Sequence, residues 1–246
     1  MDPVVVRGLA KTFYDEARGE VKAVQGIDFE CHTGEIFGLL GANGAGKTTT
    51  LRMLSTVLAP TGGSAALLGH DIVADPEGVR RCLGFYSAST ALYPRLTARE
   101  TIEFFARINK YPGDVPQRVA FLVERFGISK YASARVDKLS SGMKQKVSIA
   151  RTVAHDPPIL IFDEPTVGLD VLNALEMQDV IREFRSQGKT ILFSTHIMSE
   201  AEKLCDRIAI IHGGRILACE TLEGLRASTG ERYLEDIFVH FVRSQG

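Results

Sequence analysis

A glycine-rich segment with a single lysine constrains the fold of this chain more than any other feature. Residues 41–48 fit the spacing G-x-x-x-x-G-K-[ST], and the apolar run Ile36–Leu40 comes directly before them. Leu51 and Leu54 follow at helical spacing. A strand, a glycine-rich turn and a helix in this order predict a loop whose backbone N–H groups surround phosphate oxygens, with the positive end of the helix directed at the same anion.

Each residue type in this segment has a chemical reason. Glycine lets the backbone approach phosphate without an intervening Cβ, Lys47 can reach the β- and γ-phosphates, and the Thr48 hydroxyl can ligate Mg²⁺. A chance match in a glycine-containing loop is the alternative, and the flanking strand and helix argue against it. The candidate nucleotide-binding residues are Gly41, Ala42, Asn43, Gly44, Ala45, Gly46, Lys47, Thr48 and Thr49.

Three further short apolar runs, at 159–162, 190–194 and 207–211, resemble buried strands of a parallel sheet. One apolar face at helical spacing follows the first of them, formed by Met177, Val180, Ile181 and Phe184. Strands that alternate with helices predict an α/β sheet with its ligands at the carboxyl ends of the strands.

Between about residues 84 and 150 the pattern changes to helices without strands. The segment 97–100, Thr-Ala-Arg-Glu, is a capping box that predicts a helix start. Val119, Leu122 and Phe126 lie on one helical stripe that ends at Gly127. A third helix is expected to begin near Met143. We interpret this stretch as a helical subdomain inserted into the α/β core.

The run at 159–162 ends in two carboxylates, Asp163 and Glu164. Alone, such a pair could simply be a buried strand that meets solvent. Together with a phosphate loop it acquires a chemical interpretation, in which Asp163 holds Mg²⁺ and Glu164 polarises the attacking water.

Leu139-Ser140-Ser141-Gly142-Met143 precedes the third helix. A serine N-cap explains it locally. However, five motifs occur in one order along the chain: the phosphate loop, this segment, Ile161-Phe162-Asp163-Glu164-Pro165, Gly168-Leu169-Asp170 and Ser194-Thr195-His196. In that order they closely resemble the nucleotide-binding subunits of ABC transporters. The resemblance extends from about residue 4 to residue 225.

The resemblance implies a RecA-like P-loop NTPase core with an inserted helical subdomain and a small antiparallel β subdomain in the segment from residue 4 to about 29. It also implies two copies that pair head to tail around two ATP molecules. Ser140, Ser141 and Gly142 would then contact the γ-phosphate bound by the other copy, and Asp170 would lie in a loop that crosses the dimer interface. His196 resembles the switch histidine that orients water, and Phe13 resembles the aromatic residue that stacks on adenine, although either Phe13 or the adjacent Tyr14 could be core packing.

This chain departs from the family pattern at two places. The glutamine that family members place at the start of the helical subdomain corresponds by spacing to Ala88, so Ser87 or Ser89 replaces it or the contact is absent. Ser141 and Met143 replace the usual glycine and glutamine. These features resemble exporter ATPases of the sodium-extrusion and drug-efflux type, and the segment around Leu92-Tyr93-Pro94 leans towards sodium extrusion.

Composition narrows the classes of partner. The 246 residues carry 29 Lys plus Arg against 30 Asp plus Glu, a net charge of −1, which does not support bulk electrostatic binding of nucleic acid. The four cysteines include no Cys-x-x-Cys pair and are expected to be reduced thiols. No secretory signal and no run of about 20 apolar residues is present, so we expect a cytoplasmic protein that reaches the membrane through a partner.

The resulting expectation is a single domain: an α/β core at 1–83 and 151–225, a helical subdomain at 84–150 and a C-terminal extension at 226–246. The expected ligands are ATP and Mg²⁺, and the expected partners are a second copy and a multi-span membrane permease. One alternative is a soluble ABC ATPase that acts on DNA or ribosomes, which the absence of long coiled coils, a second ATPase unit or a basic face disfavours. Another is a nucleotide-gated scaffold without hydrolysis, which Glu164 and His196 disfavour.

Overall fold

The computed structural model describes residues 2–16, 19–87 and 90–244, and within them the chain forms two β-sheets and nine α-helices. The strands are β1 Val4–Asp15, β2 Gly19–Cys31, β3 Ile36–Leu40, β4 Gly62–Leu67, β5 His70–Asp71, β6 Leu83–Ser87, β7 Ile159–Asp163, β8 Thr190–Thr195, β9 Arg207–His212 and β10 Arg215–Glu220. The helices are α1 Lys47–Leu54, α2 Pro76–Cys82, α3 Ala98–Ile108, α4 Val115–Arg125, α5 Ser141–Thr152, α6 Val171–Ser186, α7 Met198–Leu204, α8 Leu222–Thr229 and α9 Leu234–Arg243.

The larger sheet has the strand order β10-β9-β3-β8-β7-β6, and the four predicted apolar strands form its centre. These four and β6 are parallel, while β10 pairs antiparallel with β9 at one edge. The sheet is covered on both faces: Phe162 and Phe193 face the core shared with α5 and α6, whereas Phe37 and Leu192 face the core shared with α1. Burial on both faces explains why these strands are continuously apolar in sequence.

The register of this sheet determines where the polar side chains meet. Leu40 pairs with Thr195, and Asp163 pairs with Ser194 on one side and Ser87 on the other. The carboxyl ends of β3, β8, β7 and β6 therefore form one edge, as expected for ligand sites of parallel α/β sheets.

The predicted antiparallel subdomain is confirmed, and it includes more of the chain than the sequence predicted. Its order is β2-β1-β4-β5, so residues 62–71 complete a sheet that the sequence predicted only for the segment from residue 4 to about 29. Val4, Val6 and Leu9 are buried against α1 and the parallel sheet. This sheet therefore shares its core with the phosphate-loop side of the larger sheet.

The helical stretch follows the predicted pattern at its caps. Thr97 Oγ1 accepts from Glu100 N, and the Glu100 carboxylate accepts from Thr97 N, which completes the capping box of α3. The interpretation of residues 84–150 as strand-free is wrong at its start, because β6 pairs with β7 at the edge of the parallel sheet. Gly84 weakens the strand pattern of β6 in the sequence, because glycine is uncommon inside strands. Glycine is required at this position because a Cβ would lie 2.5 Å from Thr152 O at the end of α5.

At the C-terminal end of the chain, α8 and α9 pack on α7 and β10 around Leu225, Leu234 and Ile237. All four cysteines are free thiols. Along residues 2–16, 19–87 and 90–244, the helices are too short or too polar to cross a bilayer.

Candidate functional site

The glycine-rich loop lies between β3 and α1 at the carboxyl edge of the parallel sheet. Gly44 and Gly46 have φ of 80° and 108°, a backbone conformation that L side chains rarely adopt. A Cβ on Gly46 would lie 2.6 Å from Ala23 O on β2, and one on Gly41 would lie 2.3 Å from Ile211 O. The loop is thus pressed between the two sheets, and its glycines are required by contact as well as by dihedral angle.

Lys47 begins α1 with its side chain 4% exposed. Its Nζ donates to the carbonyls of Gly41 at 2.7 Å and Ala42 at 3.1 Å, and it lies 3.1 Å from Glu164 Oε1. The N–H groups of the first turn of α1 have no acceptors within the helix, and the helix dipole adds positive potential there. These groups provide a cationic cradle with the chemistry to hold phosphate.

Asp163 is buried at the end of β7, and its carboxylate accepts hydrogen bonds from three hydroxyl groups. Thr48 Oγ1 donates to its Oδ1 at 3.0 Å, Ser194 Oγ donates to the same oxygen at 2.8 Å, and Ser87 Oγ donates to Oδ2 at 3.4 Å. A carboxylate beside a threonine hydroxyl is a suitable oxygen donor set for Mg²⁺, which takes its remaining ligands from water and phosphate. The residues present therefore fit the metal that the sequence predicts.

Glu164 follows Asp163 with a φ of 47°, a left-handed conformation that is uncommon for glutamate. Its N–H donates to Ser194 Oγ at 3.0 Å, and its Oε1 lies 3.3 Å from His196 Nδ1. Partial burial acts to raise the pKa of this carboxyl, but hydrogen bonds from Lys47 and His196 outweigh it and lower the pKa below its ordinary value. Glu164 is therefore ionised at neutral pH, the state that a proton acceptor needs.

Ser194 also belongs to the candidate site. It was not among the predicted site residues, although it directly precedes Thr195 and His196. It is fully buried, and one hydroxyl donates to Asp163 and accepts from the Glu164 N–H. The signal that could have found it is a hydroxyl residue at the end of a buried strand beside the strand that carries the two carboxylates.

Two predicted groups lie at helix starts. Ser140 is the N-cap of α5, where its Oγ accepts from Met143 N at 3.3 Å, and Ser141 is exposed beside it. Asp170 is the N-cap of α6 and accepts from Asn173 N at 3.0 Å, a hydrogen bond that lowers the pKa of the Asp170 carboxyl. The local N-cap explanation therefore holds for Ser140, and Asp170 has the same role at the start of α6. The side-chain hydrogen bonds of Ser140 and Asp170 remain within their own helix starts, while Lys47, Thr48, Asp163, Glu164 and His196 form one cluster.

Phe13 is 41% exposed on β1, with Lys11 Nζ 5.2 Å from its ring centroid. Phe13 pairs with Val21, two residues from the Ala23 carbonyl that contacts Gly46. Its ring is thus an exposed apolar surface on the sheet against which the phosphate loop packs. The proposed glutamine-equivalent position, Ala88, and the neighbouring Ser89 lie outside the described residues.

The sequence matches the family model described as ABC transporter over residues 24–167. It is 39% identical over 240 residues to the ABC transporter ATP-binding protein NatA of Bacillus subtilis (strain 168), covering 96% of each chain. It is 36% identical over 214 residues to the daunorubicin/doxorubicin resistance ATP-binding protein DrrA of Streptomyces peucetius, covering 87% of this chain and 65% of that protein.

Solved structures agree with these relatives. An ATP-binding subunit of an ABC transporter superposes with a TM-score of 0.87 at 30% identity, covering 97% of this chain and 99% of that one. The ATP-binding cassette MJ0796, as a dimer bound to ADP and Pi in a post-hydrolysis state, superposes with a TM-score of 0.80 at 26% identity, covering 89% of this chain and 98% of that one. The predicted fold class is therefore confirmed.

Proposed function

The chain belongs to the ABC transporter family as an ATP-binding, ATP-hydrolysing subunit, and from that premise we propose how its residues perform hydrolysis and what the hydrolysis drives. The observation that carries the proposal is the position of the Glu164 carboxylate, within hydrogen-bonding reach of both Lys47 and His196 at the mouth of the phosphate loop. One ionised carboxylate, one buried ammonium and one imidazole there have the chemistry that phosphoryl transfer to water requires.

In this proposal Lys47 and the loop N–H groups bind the β- and γ-phosphates, and Phe13 stacks on the adenine. Thr48 and Asp163 hold Mg²⁺, which neutralises charge on the phosphates when it is bound. Water attacks the γ-phosphorus, the bond to the ADP oxygen breaks, Glu164 accepts the water proton, and His196 orients that water. No covalent intermediate with the protein forms.

The proposed site is completed by a second copy of the chain. Ser140, Ser141 and Gly142 of that copy contact the γ-phosphate through hydroxyls and the N-terminus of α5, with Asp170 at the interface. The exposure of the two serines supports this arrangement. The dimeric form of the similar cassette MJ0796 supports it as well.

We also propose that hydrolysis powers export through a separate membrane-spanning permease, which holds the chain at the cytoplasmic face of the membrane. The core at 1–83 and 151–225, with β6 extending it to Ser87, hydrolyses ATP, and the helical subdomain transmits the motion; 226–246 is a C-terminal extension. Sodium ion is the substrate that the segment around Tyr93 favours. Drug efflux is the second candidate, supported by the similarity to the drug-resistance protein DrrA.

Glu164→Gln tests the catalytic assignment. We expect this variant to bind ATP, to hydrolyse it at least 100-fold more slowly, and to shift from monomer to dimer on size-exclusion chromatography with ATP. Lys47→Ala is the matched control. This variant should lose ATP binding and remain monomeric, while circular dichroism and thermal melting show that it stays folded. A Glu164→Gln variant that hydrolyses ATP normally and stays monomeric would remove both the base and the head-to-tail dimer.

The substrate requires a transport assay. The permease that co-purifies with this chain is reconstituted with it in vesicles, and ATP-dependent movement of sodium is compared with that of daunorubicin. Movement of sodium that Glu164→Gln abolishes supports the first candidate. Movement of the drug alone supports the second.

A further inference from the structure

Gln145 connects three parts of the molecule that lie far apart in the chain. It belongs to α5, one helical turn after the start of that helix. Its Nε2 donates to Pro165 O at 2.7 Å, and its side chain also hydrogen-bonds with the Tyr86 side chain on β6. A glutamine carries two amide donors and one acceptor, so both contacts can be made at once.

The first of these contacts holds the loop that carries the base. Pro165 follows Glu164 directly, and the turn continues with Val167 N donating to Glu164 O at 3.3 Å. Because the Glu164 backbone is in the left-handed region, its conformation depends on contacts from its surroundings. The hydrogen bond to the Pro165 carbonyl is such a contact, because it anchors the Pro165–Thr166 peptide, and a shift of Gln145 would act through Pro165 on the backbone of Glu164.

The other end of the connection is the start of α5. Lys144 N donates to Ser140 O at 2.9 Å, so the helical hydrogen bonding runs without a break from the Ser140 cap into the turn that carries Gln145. A movement of residues 140–142 is therefore transmitted along the helix to the Gln145 side chain.

We propose that Gln145 is a positioning residue that orients Glu164 when residues 140–142 close on ATP held by the other copy. The inference rests on the head-to-tail arrangement of the proposed function and names how its two sites communicate. An ATP bound to the phosphate loop of one copy engages the start of α5 of its partner. Through Gln145 the partner's own Glu164 then turns towards its own ATP, so the two sites hydrolyse cooperatively.

The test compares two substitutions at Gln145 with one at its neighbour. Gln145→Glu has nearly the same shape but lacks the N–H donor, and Gln145→Leu removes both polar groups. Lys146→Ala is the matched control on the same helix, because its Nζ forms only a half-exposed ion pair, 2.9 Å from Glu176 on α6. Tyr86→Phe removes the other partner of Gln145 and leaves the bond to Pro165.

The readout is the rate of hydrolysis against ATP concentration. The cooperativity that comes from ATP-dependent dimerisation remains, so we expect the Hill coefficient to fall only partway from near two towards one in both Gln145 variants. We expect kcat to fall roughly fivefold to tenfold, the effect of about one hydrogen bond. ADP affinity should be unchanged, because Gln145 touches no group of the phosphate loop. Lys146→Ala and Tyr86→Phe should keep the cooperativity.

A second measurement separates positioning from a general structural role. In the Glu164→Gln background, Gln145→Glu should leave the ATP-dependent dimer intact, because residues 140–142 still contact ATP. An unchanged Hill coefficient in both Gln145 variants, or loss of the dimer in the double variant, would overturn the role of Gln145. A Glu164→Gln single variant that stays monomeric contradicts the head-to-tail arrangement itself, which is a different failure.

Discussion

Lys47 Nζ lies 3.1 Å from Glu164 Oε1, so the lysine that begins α1 and the proposed base at the end of β7 form an ion pair. The ammonium also donates to the carbonyls of Gly41 and Ala42. Its three N–H bonds are thus directed at three oxygens of the protein. Phosphate that binds to this lysine competes with the Glu164 carboxylate.

Removing the charge of Glu164 should therefore favour nucleotide binding. We expect Glu164→Gln to bind ADP roughly threefold to tenfold more tightly than the unmodified protein, since Lys47 loses a competing partner worth about 1 kcal/mol. ADP is used as the ligand because its binding does not depend on formation of the ATP-bound dimer. Isothermal titration calorimetry measures the affinity, and Glu176→Gln, which removes a carboxylate from the exposed Lys146 pair, is the control. Equal or weaker ADP affinity in Glu164→Gln contradicts this competition.

Phe13 and Tyr14 provide a test of adenine stacking with a built-in control. The ring of Phe13 is half-exposed beside the sheet that holds the phosphate loop, whereas Tyr14, the next residue on β1, is 82% exposed. Alternate residues of a strand point to opposite faces, so only one of the two rings can face the nucleotide. Phe13→Ala should raise KM for ATP about fivefold to tenfold with kcat nearly unchanged, and Phe13→Trp should restore it. A larger effect from Tyr14→Ala would assign the stacking to the other ring.

Ser87 and Ser89 flank Ala88, the position that corresponds to the missing glutamine, and their variants test whether a serine replaces it. Ser87 Oγ lies 3.4 Å from Asp163 Oδ2, while Ser89 lies outside the described residues. If a serine replaces the glutamine, Ser87→Ala and Ser89→Ala, singly and together, should lower permease-stimulated hydrolysis more than basal hydrolysis. Thr48, Asp163 and water remain to hold Mg²⁺, so basal hydrolysis should survive. ATPase assays with and without the reconstituted permease measure both rates.

Full stimulation in the double serine variant would show that neither serine replaces the glutamine. Coupling would then have to run through direct contact between the permease and the segment at Tyr93 and Arg95. Tyr93 is exposed and packs against Phe104 on α3. In that case Tyr93→Ala would lower the permease-stimulated rate of hydrolysis and leave the basal rate unchanged.

The burial of His155 leads us to expect that the free energy of unfolding decreases in acid. It is buried in the turn that follows α5, with Nε2 3.1 Å from Leu83 O, and burial lowers the pKa of the imidazole from 6.5 to about 4. Between pH 6.5 and about 4, the imidazole binds a proton in the unfolded chain but stays neutral in the folded protein. The stabilisation is therefore complete above pH 6.5 and declines as pH falls to about 4, by up to about 3 kcal/mol.

Urea unfolding followed across this pH range measures the effect. His155→Gln cannot titrate and keeps an amide that can reach Leu83 O, so its stability should depend less steeply on pH between 6.5 and 4. Identical slopes in the two proteins would show that other groups cause the acid dependence.

Local patterns in the sequence determined the elements that depend on neighbouring residues. The capping box at Thr97, the N-cap position at Ser140 and the buried strands β3, β7, β8 and β9 were all predictable, because capping and hydrophobic periodicity operate over a few residues. The phosphate loop was predictable for the same reason: its glycines and Lys47 act within a single turn. The chemistry of Glu164 was assigned from its position after a buried strand in a chain with a phosphate loop, and that of His196 from the order of motifs. Both assignments stay predictions until the variants are measured.

Contacts between distant segments were decided only by the tertiary structure. The edge strand β6 depends on pairing with β7, more than 70 residues further along. The Ser194 hydroxyl bridges Asp163 and Glu164 only because β7 and β8 pair in one register, and a shift by one residue would turn it to the other face. The bond from Gln145 to Pro165 requires α5 to pack over the sheet edge. No local propensity encodes these relationships, because they follow from how the sheet register and the helix packing place side chains in space.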